Sequence, residues 1–491
     1  MRESDTVREY DRFFIGGDWV APAGSEQLRV VSPYTEQPVG RVPMGSAADI
    51  DRAVAAARRA FDVGPWPRMS LEERRAVLVR VGAVLAGMAS ALDELVTTEN
   101  GVPIRFHQGS LASRFEYYGA LDVTLEEVRT APNGDQALVV HEPVGVVAAI
   151  VPWNSPLFLA VAKVIPALLA GCTVVLKPAP ETPMSPYPLA EAFREAGLPD
   201  GALNIVAADR QVSEVLVRHP GIDCVSFTGS TAAGKVIGAA CGAQIKRVGL
   251  ELGGKSAAVL LDDVDVTTAV PAVLNGGMFS INGQACVAWS RILVPRRRHD
   301  EIVEALCETA RKARIGDPLD PATLLGPLVA ARQRDRVEGY IALGVSEGAR
   351  IAVGGGRPTN QPTGWFVEPT ILVDADNSMR VCREEIFGPV VAVIPHDGDD
   401  HAVEIANDSS YGLSAGVFSA DDERALRVAR SIRSGSVGVK SSGLNVAFPN
   451  GGFKESGFGR QYGPEGVFEF LETKAIGLPP GYPAAALAAA L

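Results

Sequence analysis

The stretch FSINGQACVAWSR, 279–291, places one cysteine, Cys286, among small neighbours just after an Asn-Gly turn signal. A free cysteine packs as a small hydrophobe and becomes a nucleophile only where its surroundings favour the thiolate. Cys286 is therefore either core filler or the seat of covalent chemistry, and its own segment does not separate the two. Glu251, in GLELGGKS at 249–256, sits between two leucines and beside glycines. It reads either as a solvated charge at a strand end or as a carboxylate whose partial burial lifts its pKa toward that of a general base. Asn154, in VPWNSPL at 151–157, lies between an apolar run and a helical pattern. It is either a self-satisfied turn asparagine or an amide held at the end of a rigid element and aimed at a developing oxyanion.

Phosphate chemistry has to be weighed as well, because GLELGGKS satisfies G-x-x-x-x-G-K-[ST] letter for letter. A phosphate-cradling loop follows a strand and opens a helix, whereas Ser256 leads into AAVLLDD, a strand-like run. Glu251 would also put a carboxylate where backbone amides must face an anion, so a P-loop NTPase is a remote reading. The neighbouring GSTAAGKV, 229–236, ends in Val236 and lacks the metal-binding hydroxyl. Yet Gly229 to Gly234 falls between a strand and a helix, where a dinucleotide pyrophosphate can sit. Lys177 closes the strand TVVLK, as a surface lysine or as a donor to a cofactor hydroxyl at a strand's carboxyl end. Glu385 and Phe387, in REEIFGPV, put charge and bulk before a Gly-Pro turn.

Composition narrows the classes. The chain has 491 residues, 47% hydrophobic and 21% charged, which suits a folded protein of about three domains rather than a disordered one. Its 46 Lys and Arg against 58 Asp and Glu leave a net charge of −12, the wrong sign for a nucleic-acid partner. The six cysteines show no C-x-x-C pair and no regular spacing, so neither a metal site nor a disulfide framework is indicated, and reduced thiols in a cytoplasm fit best. The start, MRESDTVREYDRFF, lacks the basic and apolar regions of a signal peptide. Val144 to Leu176 is the most apolar region, but Pro152, Asn154, Pro156, Lys163 and Pro166 interrupt it, which predicts strand, helix, strand rather than a membrane span.

From Val144 to Leu250, fully apolar short runs alternate with amphipathic helices, the pattern of βαβ units in a parallel sheet covered on both faces. Ahead of it, 49–61 and 71–88 read as two helices broken by Gly-Pro-Trp-Pro at 64–67, packing beside the sheet. A second strand-helix series runs from 257 to about Val439. Two segments fit neither block: 136–145, with strand alternation, and 466–478. Each reads as an edge strand awaiting a partner, through which copies could associate.

Taken together and in order, VPWNSPL, VVLKPAPETP, FTGSTAAG, ELGGKS, GQAC, EEIFGPV and GGFKESGFGR resemble the aldehyde dehydrogenase superfamily, and the match covers nearly the whole chain. The resemblance implies an α/β, aldehyde dehydrogenase-like fold in three parts. A doubly wound dinucleotide-binding domain would take 1–122 and 143–252, a catalytic α/β domain 253–448, and a small β oligomerisation unit 123–142 and 467–491. It further implies NAD, with NADP possible, a small-molecule aldehyde substrate, and a homodimer or homotetramer. Cys286 would be the nucleophile, Glu251 the general base, Asn154 the oxyanion donor, and Lys163 a proton-relay lysine. Lys177 and Glu385 would hold the two ribose units, Phe387 would pack near the nicotinamide, and Gly229, Ser230 and Gly234 would follow the pyrophosphate. Val151, Pro152, Trp153, Leu252 and Gly253 complete the implied cofactor site. Two departures stand out: Pro180, where many NAD-dependent members have a glutamate on the adenine ribose, and Gln461, where a glutamate is frequent.

A CoA-acylating branch needs no general-base glutamate, so Glu251 argues against it; a catalytically silent relative is opposed by the presence of Cys, Glu and Asn together. The helix after Asn154 presents Ser155, Phe158, Leu159 and Ala162, and Ser280 precedes the cysteine loop. With small residues there and no obvious charge, the expectation is a roomy apolar tunnel for a medium-sized or aromatic aldehyde. The other five cysteines read as core or surface thiols.

Overall fold

The computed structural model describes residues 7–107, 111–480 and 482. The first six residues of the acidic start and the alanine-rich end of the 467–491 segment lie outside them. Two large sheets dominate. The first has eight strands, in the order Gly457–Phe458, Arg247–Glu251, Cys224–Thr228, Val146–Ile150, Thr173–Lys177, Leu203–Ile205, Phe13–Ile15 and Asp18–Val20. Its five central strands are parallel, and the chain enters at Val146–Ile150 in the middle, builds outward to one side, then returns to build the other. The strand order therefore reverses beside Val146–Ile150, and a doubly wound sheet opens its binding crevice beyond the carboxyl ends of the strands at that point.

The apolar runs form central strands because both faces are covered. Val147 and Ala149 face a core shared with the helices Pro156–Ala170 and Leu71–Gly87, while Val146, Ala148 and Ile150 face another shared with Ala47–Asp62. The apolar region 144–176 is thus strand, helix, strand, and nearly all of Pro156–Ala170 is buried. Among the described residues, no single helix is long and apolar enough to cross a membrane. The two N-terminal helices start at matched capping boxes, Ser46 with Asp49 and Ser70 with Glu73, each satisfying a first-turn N–H group.

The second sheet has seven strands, parallel except for the antiparallel edge Arg350–Val353. Its strand Ser256–Leu260 begins five residues after Glu251 ends its own strand in the first sheet, so GLELGGKS crosses between sheets without opening a helix. That removes the helix a P-loop requires.

The two unassigned segments need a correction. They pair with each other: Gln136–Pro143 is the centre of a three-stranded antiparallel sheet, with Leu471–Gly477 on one side and Glu126–Thr130 on the other. Only the first of the two is therefore not an edge, and the start of the second, through Phe468, belongs to the short helix Gly463–Phe468. The partner strand Glu126–Thr130 carries mostly exposed charge and gave no apolar signal. The N-terminal strands Phe13–Ile15 and Asp18–Val20, and Gly457–Phe458 at the opposite edge, are also too short to show a period.

Candidate active site

The loop before Cys286 explains its Asn-Gly signal. Ile281, Asn282 and Gly283 all have positive φ (41°, 62° and 70°), an unusual run for non-glycine residues that the surroundings must hold in place. Asn282 does so: buried, it donates to the carbonyls of Gly101 and Pro327 at 3.0 and 2.9 Å and accepts from the Gly326 N–H at 2.8 Å. Gln284 accepts from the Val329 N–H at 3.1 Å. At Gly254 a Cβ would lie 2.3 Å from the Cys286 carbonyl oxygen, so a glycine lets the crossing segment pass beneath the cysteine.

Cys286 opens onto a cavity of about 340 Å³ between the two sheets. Pro152, Trp153 and Asn154 line it from the end of strand Val146–Ile150, and Thr228, Gly229 and Ser230 from the end of Cys224–Thr228. These are the two strands flanking the reversal point. Ser230 is also the N-cap of helix Thr231–Ala243, whose unpaired N–H groups favour an anion. Leu252 and Gly253 form another part of the wall, and Glu385 and Phe387 face it from the loop that leads into strand Val390–His396 of the second sheet. A Cβ on Gly253 would sit 2.7 Å from the Glu385 carboxylate, which in turn accepts the Gly254 N–H at 3.0 Å. Phe387, with φ 66°, meets Trp153 edge to face at 5.3 Å.

The polar groups on this wall fit a dinucleotide. Asn154 Oδ1 and Thr228 Oγ1 are buried without hydrogen-bond partners, and such atoms call for a ligand or water. Asn154 Nδ2 donates to the Gln284 carbonyl at 2.8 Å, tying the amide to the cysteine loop, and its own carbonyl accepts from Asn100 at 3.1 Å. Enclosure pushes the Cys286 thiol up to about 12, with the carboxylates of Glu385 and Glu251 adding to the effect. Glu385 is raised to about 7, also by enclosure.

Glu251 stands behind this wall. It is 7% exposed, its Oε1 has no hydrogen-bond partner, and burial pushes its pKa up to about 8 against the pull of Lys163 and Arg460. Lys163 is fully buried in helix Pro156–Ala170, donates to Ser226 Oγ at 3.1 Å, and is lowered to about 8 by the same burial. Both groups are thus pushed toward their neutral forms.

A second cavity, about 300 Å³, lies against the start of the helix Pro156–Ala170. Ser155, Leu157, Phe158 and Ile281 form part of its wall, helix residues Leu85, Leu92 and Val96 another, and Asp93 and His107 bring polar groups to it.

A model of the aldehyde dehydrogenase family matches residues 19–476. The chain belongs to the aldehyde dehydrogenase family. It is 44% identical to a geranial dehydrogenase of Castellaniella defragrans, over 95% of this chain and 98% of that protein. Among solved structures it resembles an aldehyde dehydrogenase of Mycobacterium tuberculosis complexed with NAD+, with 46% identity and a TM-score of 0.95 over 97% and 100% of the two chains. It also resembles a Cys-to-Ala mutant of aldehyde dehydrogenase C from Pseudomonas syringae, in complex with NAD+ and octanal. That match has 40% identity and a TM-score of 0.91 over 95% and 96%.

Within this aldehyde dehydrogenase fold, ten of the residues singled out in the sequence share the first cavity: Pro152, Trp153, Asn154, Gly229, Ser230, Leu252, Gly253, Cys286, Glu385 and Phe387. Others support it from behind. Val151 is buried and donates its N–H to the Lys177 carbonyl at 3.1 Å. Gly234 admits the Leu252 side chain, 2.4 Å from where its Cβ would be. Lys177 is buried at its strand end and lowered to about 8 by that burial, with Glu181 and Asp209 opposing. Pro180 is half-buried just beyond it.

The tunnel expectation needs three corrections. Ser155 and Phe158 line the second cavity, but Leu159 is core and Ala162 borders the space beside Glu251. Charge is also present: Asp93 is on the wall, and the Arg114 guanidinium lies 3.6 Å from the Phe158 ring centroid. The charge was not visible because both residues belong to helices distant in sequence from Asn154. Gln333 and Arg336 were missed too. Both line the first cavity and donate to the carbonyls of Phe387 and Glu385, at 2.8 and 2.6 Å. In sequence they are ordinary polar residues of a helix. The five remaining cysteines are buried, hence core thiols, and all six are free.

Proposed function

We propose that this chain oxidises an apolar, medium-sized or aromatic aldehyde to its carboxylic acid with NAD+, through covalent intermediates on Cys286. The observation that carries this is the shared cavity: a cysteine, an amide with an unpartnered oxygen and two unlinked strand ends meet at the point where a doubly wound sheet binds dinucleotides. The NAD+ complexes of the two similar structures support the cofactor. Residues at the two strand ends and Ser230 would hold the pyrophosphate, Lys177 the adenine-side ribose, and Glu385 the nicotinamide-side ribose. Bound there, the oxidised dinucleotide supplies the hydride acceptor and a positive charge that favours the Cys286 thiolate.

The residues divide the work as follows. An aldehyde carbon does not readily release hydride while trigonal, so the Cys286 thiolate first adds to it and makes a tetrahedral thiohemiacetal. The second N–H of Asn154 Nδ2, beyond the one given to the Gln284 carbonyl, and the Cys286 N–H stabilise the oxyanion, whose collapse expels the hydride and leaves a thioester. Glu251 then takes a proton from water as the water oxygen bonds to the acyl carbon, and the C–S bond breaks with its electrons returning to sulfur. Lys163, beside Glu251, tunes that carboxylate. A CoA-acylating reaction would not need Glu251 at all.

The second cavity supports the substrate class, since its walls are mostly aliphatic and aromatic. Geranial and octanal, in the names of two of the similar proteins, are apolar aldehydes of fitting size. Steady-state rates on hexanal, benzaldehyde and succinic semialdehyde test it: the first two are expected to be preferred, and a clear preference for the last contradicts the reading.

Cofactor choice follows from position 180. Pro180 lacks a carboxylate that would hold the ribose hydroxyls and repel a 2′-phosphate, and Glu181, the next residue, is engaged by Arg332 of the helix Ala331–Ser346. NAD+ use with measurable NADP+ activity is expected. Pro180→Glu should shift the kcat/KM ratio toward NAD+ by about tenfold through like-charge repulsion. Paired cofactor titrations check this; an unchanged ratio means position 180 does not face the adenine ribose.

We also assign 1–122 with 143–252 to the cofactor domain, 253–448 to the catalytic domain, and 123–142 with 467–491 to oligomerisation. The change of sheet after Glu251 and the exposed edge strand Leu471–Gly477 support this division and a homodimer or homotetramer. Six free thiols fit a cytoplasmic setting.

A further inference from the structure

Thioester hydrolysis leaves a proton on Glu251, and that proton must leave before the next turnover. Glu251 is nearly enclosed, so the route matters. Beside it lies a void of about 20 Å³, large enough for a water molecule and bordered by Ser226, Arg460, Gln461 and Glu469. Gln461 is an amide and cannot accept the proton. We propose that Glu469 is the outlet through which the proton taken by Glu251 passes to solvent.

This rests on the base role proposed for Glu251, and the geometry of Glu469 supports it. Glu469 follows the short helix Gly463–Phe468 and is half-buried, so it touches both the void and the exterior. Its Oε1 is fixed by the Arg460 N–H at 2.9 Å. Its Oε2 faces two glycines: a Cβ on Gly459 would lie 2.8 Å from it, and one on Gly249 3.3 Å. Any side chain at either place would crowd the carboxylate at the rim of the void. The cations Arg247, Arg460 and Lys163 face Glu469 from three different segments and favour its charged form, while burial wins and raises its pKa. Glu251 and Cys224 are the acidic groups facing the same space. A carboxyl raised in this way takes a proton more readily than a free one, and its exposed side lets it hand that proton to solvent.

The transfer balances simply. The O–H proton of the attacking water bonds to the Glu251 carboxylate. It then moves through a water in the void to a Glu469 oxygen and on to bulk solvent, restoring the Glu251 carboxylate.

The test separates the first turnover from steady state in the full-length enzyme. In Glu469→Gln, the rate of reduced-dinucleotide formation in the first turnover should be unchanged, while steady-state turnover at pH 7 falls about tenfold. Hydrolysis of p-nitrophenyl acetate without dinucleotide, which acylates Cys286 directly, should slow equally. Adding Gln461→Glu to the same chain, or imidazole in rising concentration, should restore turnover to within about twofold by supplying another proton acceptor. Turnover of Glu469→Gln within twofold of wild type overturns the proposal, and so does a loss that neither Gln461→Glu nor imidazole repairs. Gly249→Ala keeps Glu469 but narrows the void; it should slow steady-state turnover at least threefold with the first turnover intact, and an unaltered rate also overturns the outlet. If Cys286→Ala still forms reduced dinucleotide in the first turnover, it is the proposed function that fails.

Discussion

Cys286→Ala is expected to lower kcat for aldehyde oxidation by about 10⁴-fold or more while dinucleotide binding stays measurable, because only the covalent step is lost. The substitution removes one sulfur from a loop whose shape is set by Asn282 and Gln284, so the cavity should persist. Titration of the variant with NAD+, followed by quenching of intrinsic fluorescence, checks the second half; Trp153 on the cavity wall is a suitable reporter. Replacing Cys172, Cys241, Cys307 or Cys382 should leave the chemistry intact, since none of them reaches this cavity or the void beside Glu251. Substantial turnover by Cys286→Ala would remove the nucleophile from the mechanism.

The second large effect concerns Glu251. Glu251→Gln keeps the shape of the side chain and loses the base, so acylation should proceed and thioester hydrolysis should slow by about a hundredfold. The signature is a burst of reduced dinucleotide close to one per active site, then slow turnover. The pH dependence follows from burial. Glu251 acts as its carboxylate, and its pKa is raised to about 8, so at neutral pH the acid form is substantial. Turnover limited by hydrolysis should therefore rise between pH 6 and 9 as the proton is lost, and the rise should vanish in Glu251→Gln. Wild-type rates in that variant at neutral pH would reduce Glu251 to a structural role.

Much of the architecture was legible because its signals are local. Fully apolar strands and amphipathic helices repeat along 144–250, and each strand residue there finds a core on its own face. The site residues stood beside turn signals, Asn154 after the apolar run Val146–Ile150, Cys286 after an Asn-Gly pair and Glu385 before a Gly-Pro pair, where a single unusual residue is conspicuous. What escaped notice depends on distant partners. Gln136–Pro143 meets Leu471–Gly477 across more than three hundred residues, with His141 opposite Thr473, and nothing in either segment names the other. Gln333 and Arg336 act through backbone carbonyls some fifty residues away, which carry no side-chain identity to read. Arg114 and Phe158 come from separate helices, so the charge beside the second cavity exists only once those helices pack.

The covalent intermediate can be seen directly. Glu251→Gln mixed with NAD+ and hexanal, acid-quenched during the slow phase and cleaved with trypsin, yields peptide 256–291, in which Cys286 is the sole cysteine. Mass spectrometry of that peptide should find it heavier by one hexanoyl group, with the mass localised to Cys286 and an amount matching the burst. An unmodified peptide, while reduced dinucleotide has formed in full, would contradict the thioester at Cys286.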